Sequence, residues 1–229
     1  MTHPIVTAAK AELELLSKPS TGGHLRTGEI RRLSARLFRD IRNEPKEHVF
    51  AVCGELLEQR GWALGVIAYD FAYRVRKQYD AGTFALFEGW LETYVRGWGD
   101  CDDFCTHAFG ELVCQDTALA SRVFEWTKRG EFWMRRASAV VLIPSIWRGQ
   151  YAETEPLRTA DALMADEHDL VRKGYGWMLK ALSLKEPALV FAYLQKHRAV
   201  MPRVAYRYAL EKLDTEQKRI LMSRGDGQR

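Results

Sequence analysis

The stretch from Arg96 to Cys105, "RGWGDCDDFC", gathers a tryptophan and three carboxylates, Asp100, Asp102 and Asp103, within six residues. Carboxylates this dense do one of two kinds of work. In the first turn of a helix they satisfy free backbone amides and oppose the helix dipole. In a cleft, one of them can stabilise developing positive charge or orient a water molecule. Capping accounts for the acids and leaves Trp98 unexplained. With a helix beginning near Asp100 as its N-cap, Cys101, Phe104, Cys105, Ala108, Phe109 and Leu112 form the apolar face. Asp103 then falls nearly opposite the centre of that face, with His107 one turn later on the same side.

Two more segments carry side chains that leave the core. In 170–182, Val171, Tyr175, Met178 and Leu182 recur at helical spacing and define a buried stripe. Trp177 points away from it and shares its side of the helix with Lys173 and Lys180. An indole on a polar face asks for a partner, either a neighbouring helix or a ligand. Segment 131–148, "EFWMRRASAVVLIPSIWR", sets Arg135 and Arg136 in an otherwise apolar helix, which Pro144 should kink or end. Adjacent guanidinium groups pair with acids or grip a phosphate in bidentate fashion.

These residues sit in a chain of 229 residues, 47% hydrophobic, enough to bury a sizeable core or a string of small ones. The N-terminus has no basic region followed by an apolar run, and no stretch reaches the ~18 apolar residues of a membrane span, so a soluble, cytoplasmic protein is expected. Cys53, Cys101, Cys105 and Cys114 follow no paired-motif spacing and are expected as buried thiols. Cys101, Cys105, His107 and Cys114 lie close together, but a Cys-x3-Cys spacing alone does not make a zinc site, and neither metal nor cofactor is assigned. Net charge is +4, unevenly placed: from Lys196 onward nine Lys or Arg stand against four acids. A basic terminal region suits a polyanion, and a solvated helical tail has the same composition.

The elements that must position these groups are helical almost throughout. Breaks at 19–23, 43–45, Gly61, 80–82, 97–100, 129–130, 149–156, 185–187 and 201–202 divide the chain into about a dozen short helices with no long linker. Pro45, Pro156, Pro187 and Pro202 each precede an apolar-periodic run, where a first-turn proline is tolerated. "RKGYGWMLKAL" (172–182) aligns with "RVAYRYALEKL" (203–213) at an offset of 31, and "RRASAVVLIPS" (135–145) at 37. Such offsets bracket two-helix repeats, so the expected fold is an all-α, HEAT-like solenoid, one domain over 1–229 with a short disordered tail at about 224–229.

Three segments in order resemble the DNA alkylation repair family of HEAT-like glycosylases. "WGDCDDF" is similar to its Trp-Asp-x-x-Asp element, "FWMRRASAVV" to its Trp-x-x-Arg-x-Ala helix, and "VRKGYGWMLKAL" with "MPRVAYRYALEKL" to its C-terminal elements. The likeness spans about 90–214; the first ninety residues match in helical character only. It implies a C-shaped array whose concave side holds double-stranded DNA containing alkylated bases, and hydrolysis of the N-glycosidic bond of cationic alkylated purines. Asp103 is then the catalytic carboxylate, with Trp98 and Trp177 as aromatic walls. Arg135, Arg136, Arg148, Lys173, Lys180, Arg203 and Arg207 are the DNA-binding candidates. Gly99 stands where the family has an aromatic, with Trp98 one position earlier, and Lys180 stands where Arg is common. The expected protein is a monomer, nucleoid-associated when bound to DNA. Two other functions fit a helical-repeat fold: binding of distorted or branched DNA without chemistry, and a protein-interaction scaffold.

Overall fold

The computed structural model of the protein describes residues 2–17 and 25–223; the expected break at 19–23 and the tail at 224–229 lie outside them. Among the described residues every regular element is helical and no helix is long and apolar enough to cross a membrane. The chain packs into two compact units, Met1–Leu112 and Val113–Arg229.

The first unit holds α1 (Pro4–Leu16), α2 (Thr27–Leu37), α3 (Lys46–Glu58), α4 (Trp62–Arg74), α5 (Thr83–Tyr94) and α6 (Trp98–Thr106); the division falls within α7 (Ala108–Gln115). Each helix packs on helices one or two places away along the chain: α1 packs on α2 and α3, α3 on α4 and α5, and α4 on α2 and α6. That pattern is how a helical-repeat array buries apolar stripes that no single helix could bury alone. Arg60, left-handed at φ 56°, closes α3 just before Gly61 opens α4. The core is aromatic. Tyr69 of α4 stacks on Phe104 of α6 with centroids 4.3 Å apart, and Phe104 meets Phe87 and Phe109 at 5.2 and 5.4 Å. Contacts of this kind contribute about 0.5–1.5 kcal/mol each beyond area burial. The Tyr69–Phe104 stack also sets the register of α6 on α4, and so brings together the residues beside it in sequence, Asp70 and Asp103.

The second unit holds α8 (Ala120–Glu125), α9 (Phe132–Val140), α10 (Ile143–Trp147), α11 (Tyr151–Thr154), α12 (Pro156–Ala162), α13 (Asp169–Ser183), α14 (Pro187–His197), α15 (Arg203–Ala209) and α16 (Thr215–Met222). The helix expected across 131–148 is two helices, α9 ending before Pro144 and α10 carrying that proline in its first turn. Pro156 and Pro187 occupy first helical positions, and Pro45 and Pro202 are N-caps. Helix α13 is central, touching α9, α10, α12, α14 and α15. Its stripe of Val171, Tyr175, Met178 and Leu182 is buried as its periodicity requires, and Cys53, Cys101, Cys105 and Cys114 are all buried.

Glycine permits the tightest of these contacts. A Cβ on Gly176 would lie 2.8 Å from the Cβ of Tyr208, 2.9 Å from the Ala205 carbonyl oxygen and 3.0 Å from the Ala205 Cα. Two of these are backbone atoms and can yield only by moving α15. Gly176→Ala is therefore expected to destabilise the protein by about 1–2 kcal/mol, overpacking outweighing the ~1 kcal/mol by which alanine favours a helix. Gly54→Ala, where nothing lies within 4 Å, is the control and should stabilise. Urea denaturation of the two variants measures both; a Gly176→Ala midpoint equal to wild type would mean that α15 retreats freely.

Candidate functional site

Helix α6 starts one turn earlier than the acids indicate. Its N-cap is Gly97, in extended conformation, and Asp100 is a first-turn residue rather than the cap. Trp98 is therefore the first helical residue, where its side chain is not needed by the helix, and it is 57% exposed. The apolar face is as expected, with Cys101, Phe104, Cys105, Ala108, Phe109 and Leu112 all buried. The helix breaks at His107, between α6 and α7.

Above α6 lies an open cavity of about 670 Å³, lined by Thr27, Trp62, Trp98 and Gly99 together with Asp100, Asp102 and Asp103. Trp62, the first residue of α4, is a member of the site that helical periodicity does not single out; it is 43% exposed. Its indole nitrogen lies 3.7 Å from where a Cβ on Gly99 would be, so a bulky side chain at 99 would meet the indole at once. Trp62 and Trp98 thus hold equivalent places, each opening a helix directly after a glycine N-cap. The sequence does carry a signal for this: Arg60-Gly61-Trp62 and Arg96-Gly97-Trp98 are the same tripeptide at an offset of 36.

Asp103 is the chemically distinctive member. Its side chain is 13% exposed, Oδ1 accepts from Arg31 Nη2 at 2.5 Å, and Oδ2 is buried with no hydrogen-bond partner. The same Nη2 lies 3.4 Å from His107 Nδ1, so Asp103 and His107 do share one side, as their spacing predicts. Arg31 Nη1 reaches Asp70 Oδ1 at 3.3 Å, and Asp70 Oδ2 accepts from Ser34 Oγ at 2.5 Å and Arg74 Nε at 2.8 Å. Burial raises the Asp103 carboxyl from the ordinary aspartate range to about 6; Arg31 opposes that, while Asp70 and Asp100 add to it. Burial also raises Asp100, against a hydrogen bond from the Arg96 backbone amide. His107 is pushed down by burial and then by Arg31, with Asp70 opposing.

The remaining candidates belong to the second unit. Arg136 is not placed to grip a phosphate: it is 5% exposed and its guanidinium donates to the Leu170 carbonyl. Its side chain crosses α13 at Gly174, where a Cβ would lie 3.0 Å from Arg136 Cγ, so it works as a buried strut between α9 and α13. Arg135 is likewise engaged, with Asp166 at 2.5 Å and with the carbonyls of Arg129 and Gly130. The pairing with acids, open in the sequence, is the one the structure adopts. Lys173 pairs with Asp169 at 2.6 Å and Lys180 with Glu211 at 3.0 Å, Lys180 also lying 5.6 Å from the centre of the Tyr208 ring. Trp177 is half-buried between them in sequence, while Arg148, Arg203 and Arg207 are exposed. No group of metal-ligating side chains occurs among the described residues.

A family model described as "DNA alkylation repair enzyme" matches residues 23–213. The fold is similar to that of a solved structure of a predicted DNA alkylation repair enzyme from Enterococcus faecalis, with a TM-score of 0.70 at 18% identity, over 84% of this chain and 88% of that one. No curated protein matches the chain.

Proposed function

The chain belongs to the DNA alkylation repair enzyme family, and we propose that it hydrolyses the N-glycosidic bond of positively charged alkylated purines, such as 3-methyladenine and 7-methylguanine, in duplex DNA. The observation that carries this is a buried, half-paired carboxylate, Asp103, on a cavity rimmed by two exposed tryptophans. Methylation at N3 or N7 makes the purine cationic, so it departs without a general acid. The sugar left behind passes through an oxocarbenium-like state, as in other glycoside hydrolysis. An anion beside that sugar stabilises the developing charge, more strongly in a dry environment than in water, and can orient the attacking water. Trp62 and Trp98 would hold the cationic nucleotide by contact with their ring faces, worth about 1–2 kcal/mol when desolvated.

The second unit would supply phosphate contacts. Arg148, Arg203 and Arg207 are exposed for this role. Lys173 and Lys180 would exchange their carboxylates for phosphate at little cost, because exposed ion pairs contribute roughly 0–1 kcal/mol. Trp177, half-buried on the same helix as Lys173 and Lys180, would be the aromatic group of that surface. Lysine in place of arginine at 180 keeps the charge and gives up the planar fork.

The test is release of free bases from duplex DNA treated with a methylating agent, scored by chromatography. The wild-type protein should release 7-methylguanine or 3-methyladenine, and should leave neutral lesions, whose departing base needs a proton, essentially untouched. Salt-sensitive DNA binding without any release would leave a DNA-binding protein and remove the chemistry. Efficient release of a neutral damaged base would remove the mechanism.

A further inference from the structure

Beside the cavity lies a charge cluster that the chemistry above does not use: Arg31 of α2 with Asp70, Ser34 and Arg74. We propose that Arg31, tethered by Asp70, is the positioning residue of this site and holds Asp103 in place as an anion beside the cavity. The proposal rests on the glycosylase function of that cavity, and Arg31 acts through Asp103 without touching the substrate.

The geometry is that of a clamp. Asp70 is buried, and its Oδ2 is committed to Ser34 and Arg74, which leaves Oδ1 for Arg31 Nη1. With one arm of the guanidinium fixed there, the other arm points Nη2 at Asp103 Oδ1 and His107 Nδ1. A planar fork can bridge two carboxylates from two helices; an ammonium group cannot reproduce that geometry. The groups facing Asp103 are Arg31 from α2, Asp70 and Tyr69 from α4, and Asp100 and His107 from its own segment, with Arg74 neutralising Asp70 from behind. Burial, Asp70 and Asp100 all favour the protonated acid, and Arg31 is the opposing cation. Without Arg31 less of the carboxyl would be ionised near neutral pH, and a protonated acid loses the charge that stabilises an oxocarbenium ion.

The experiment compares wild type, Arg31→Gln and Arg31→Lys in the whole chain. One readout is the NMR titration of the Asp103 side-chain carboxyl carbon; the other is the pH dependence of 7-methylguanine release. In Arg31→Gln the titration midpoint should rise by about one to three pH units, the shift an adjacent opposite charge commands. The ascending limb of the rate profile should move with it, and the rate should recover once pH passes the new midpoint. Arg31→Lys should move the midpoint less. An unchanged midpoint in either variant overturns the proposal, as does a rate depressed equally at every pH, which would place Arg31 on the DNA or in the framework. Should Arg31→Gln fail to fold, Arg31→Lys carries both readouts. Because the titration needs no activity, an inactive wild type would count against the glycosylase function and leave the clamp to be judged on the midpoint alone.

Discussion

Asp103→Asn is expected to lower the rate of methylated-base release by about two to three orders of magnitude, the usual loss when a preorganised electrostatic contact to a transition state is removed. DNA affinity should change by less than about threefold, because the side chain is largely buried and phosphate contacts dominate binding. The pH dependence of the wild type gives the same residue a second signature. Asp103 works as an anion, so the rate should climb through its titration near 6 and level off above it. At pH 5 about a tenth of the protein holds the ionised form, and the rate should be about a tenth of its plateau. Asparagine does not titrate, so the residual rate of the variant should lack this limb. Single-turnover release from DNA bearing 7-methylguanine, between pH 5 and 9, measures both quantities. A loss of rate and affinity by the same factor would make Asp103 a binding residue, and a wild-type profile flat through pH 6 would take the carboxylate out of the chemistry.

Much of this architecture is legible in the sequence because a helix buries what its period dictates. The stripe at Val171, Tyr175, Met178 and Leu182 is in the core, and the apolar face from Cys101 to Leu112 is too, even though His107 breaks the helix beneath it. Periodicity also places Asp103 and His107 on one side, where both meet Arg31. What periodicity cannot give is the partner across space. Arg31 and Asp70 lie 72 and 33 residues from Asp103, and the packing of α4 on α2 and on α6, with Tyr69 stacked on Phe104, brings them together. Trp62 is hidden in the sequence for a different reason. Gly99 reads as a missing aromatic, whereas the fold supplies a ring to that place from an earlier helix, and the Arg-Gly-Trp tripeptide at 60–62 is its only local sign. Arg136 shows the converse error. Charge invites a functional role, but on a helix packed against α13 the guanidinium is drawn to a backbone carbonyl, and Gly174 provides the room.

The same substitution that removes activity should make the protein more stable at alkaline pH. In the unfolded chain an aspartate titrates near ~3.9, and in the folded protein burial raises Asp103 to about 6. A group whose folded value lies above its unfolded one favours the native state fully at pH below about 4 and progressively less as pH rises through 6. Above that range the native state carries a buried, half-paired charge that the unfolded chain solvates freely. The two values differ by roughly two units, which caps the effect at about 3 kcal/mol; residual solvent access reduces it to about 2 kcal/mol. An asparagine side chain in place of Asp103 avoids that cost while its amide oxygen can still accept from Arg31, which keeps Asp70 as its charged partner. Asp103→Asn should therefore melt about 4–8 °C above wild type at pH 8, with the gap closing between pH 6 and pH 4. Thermal unfolding followed across that range decides the sign. A variant less stable than wild type at pH 8 would mean that the ion pair with Arg31 outweighs the desolvation of Asp103, and that the site is held together by its charge instead of being strained by it.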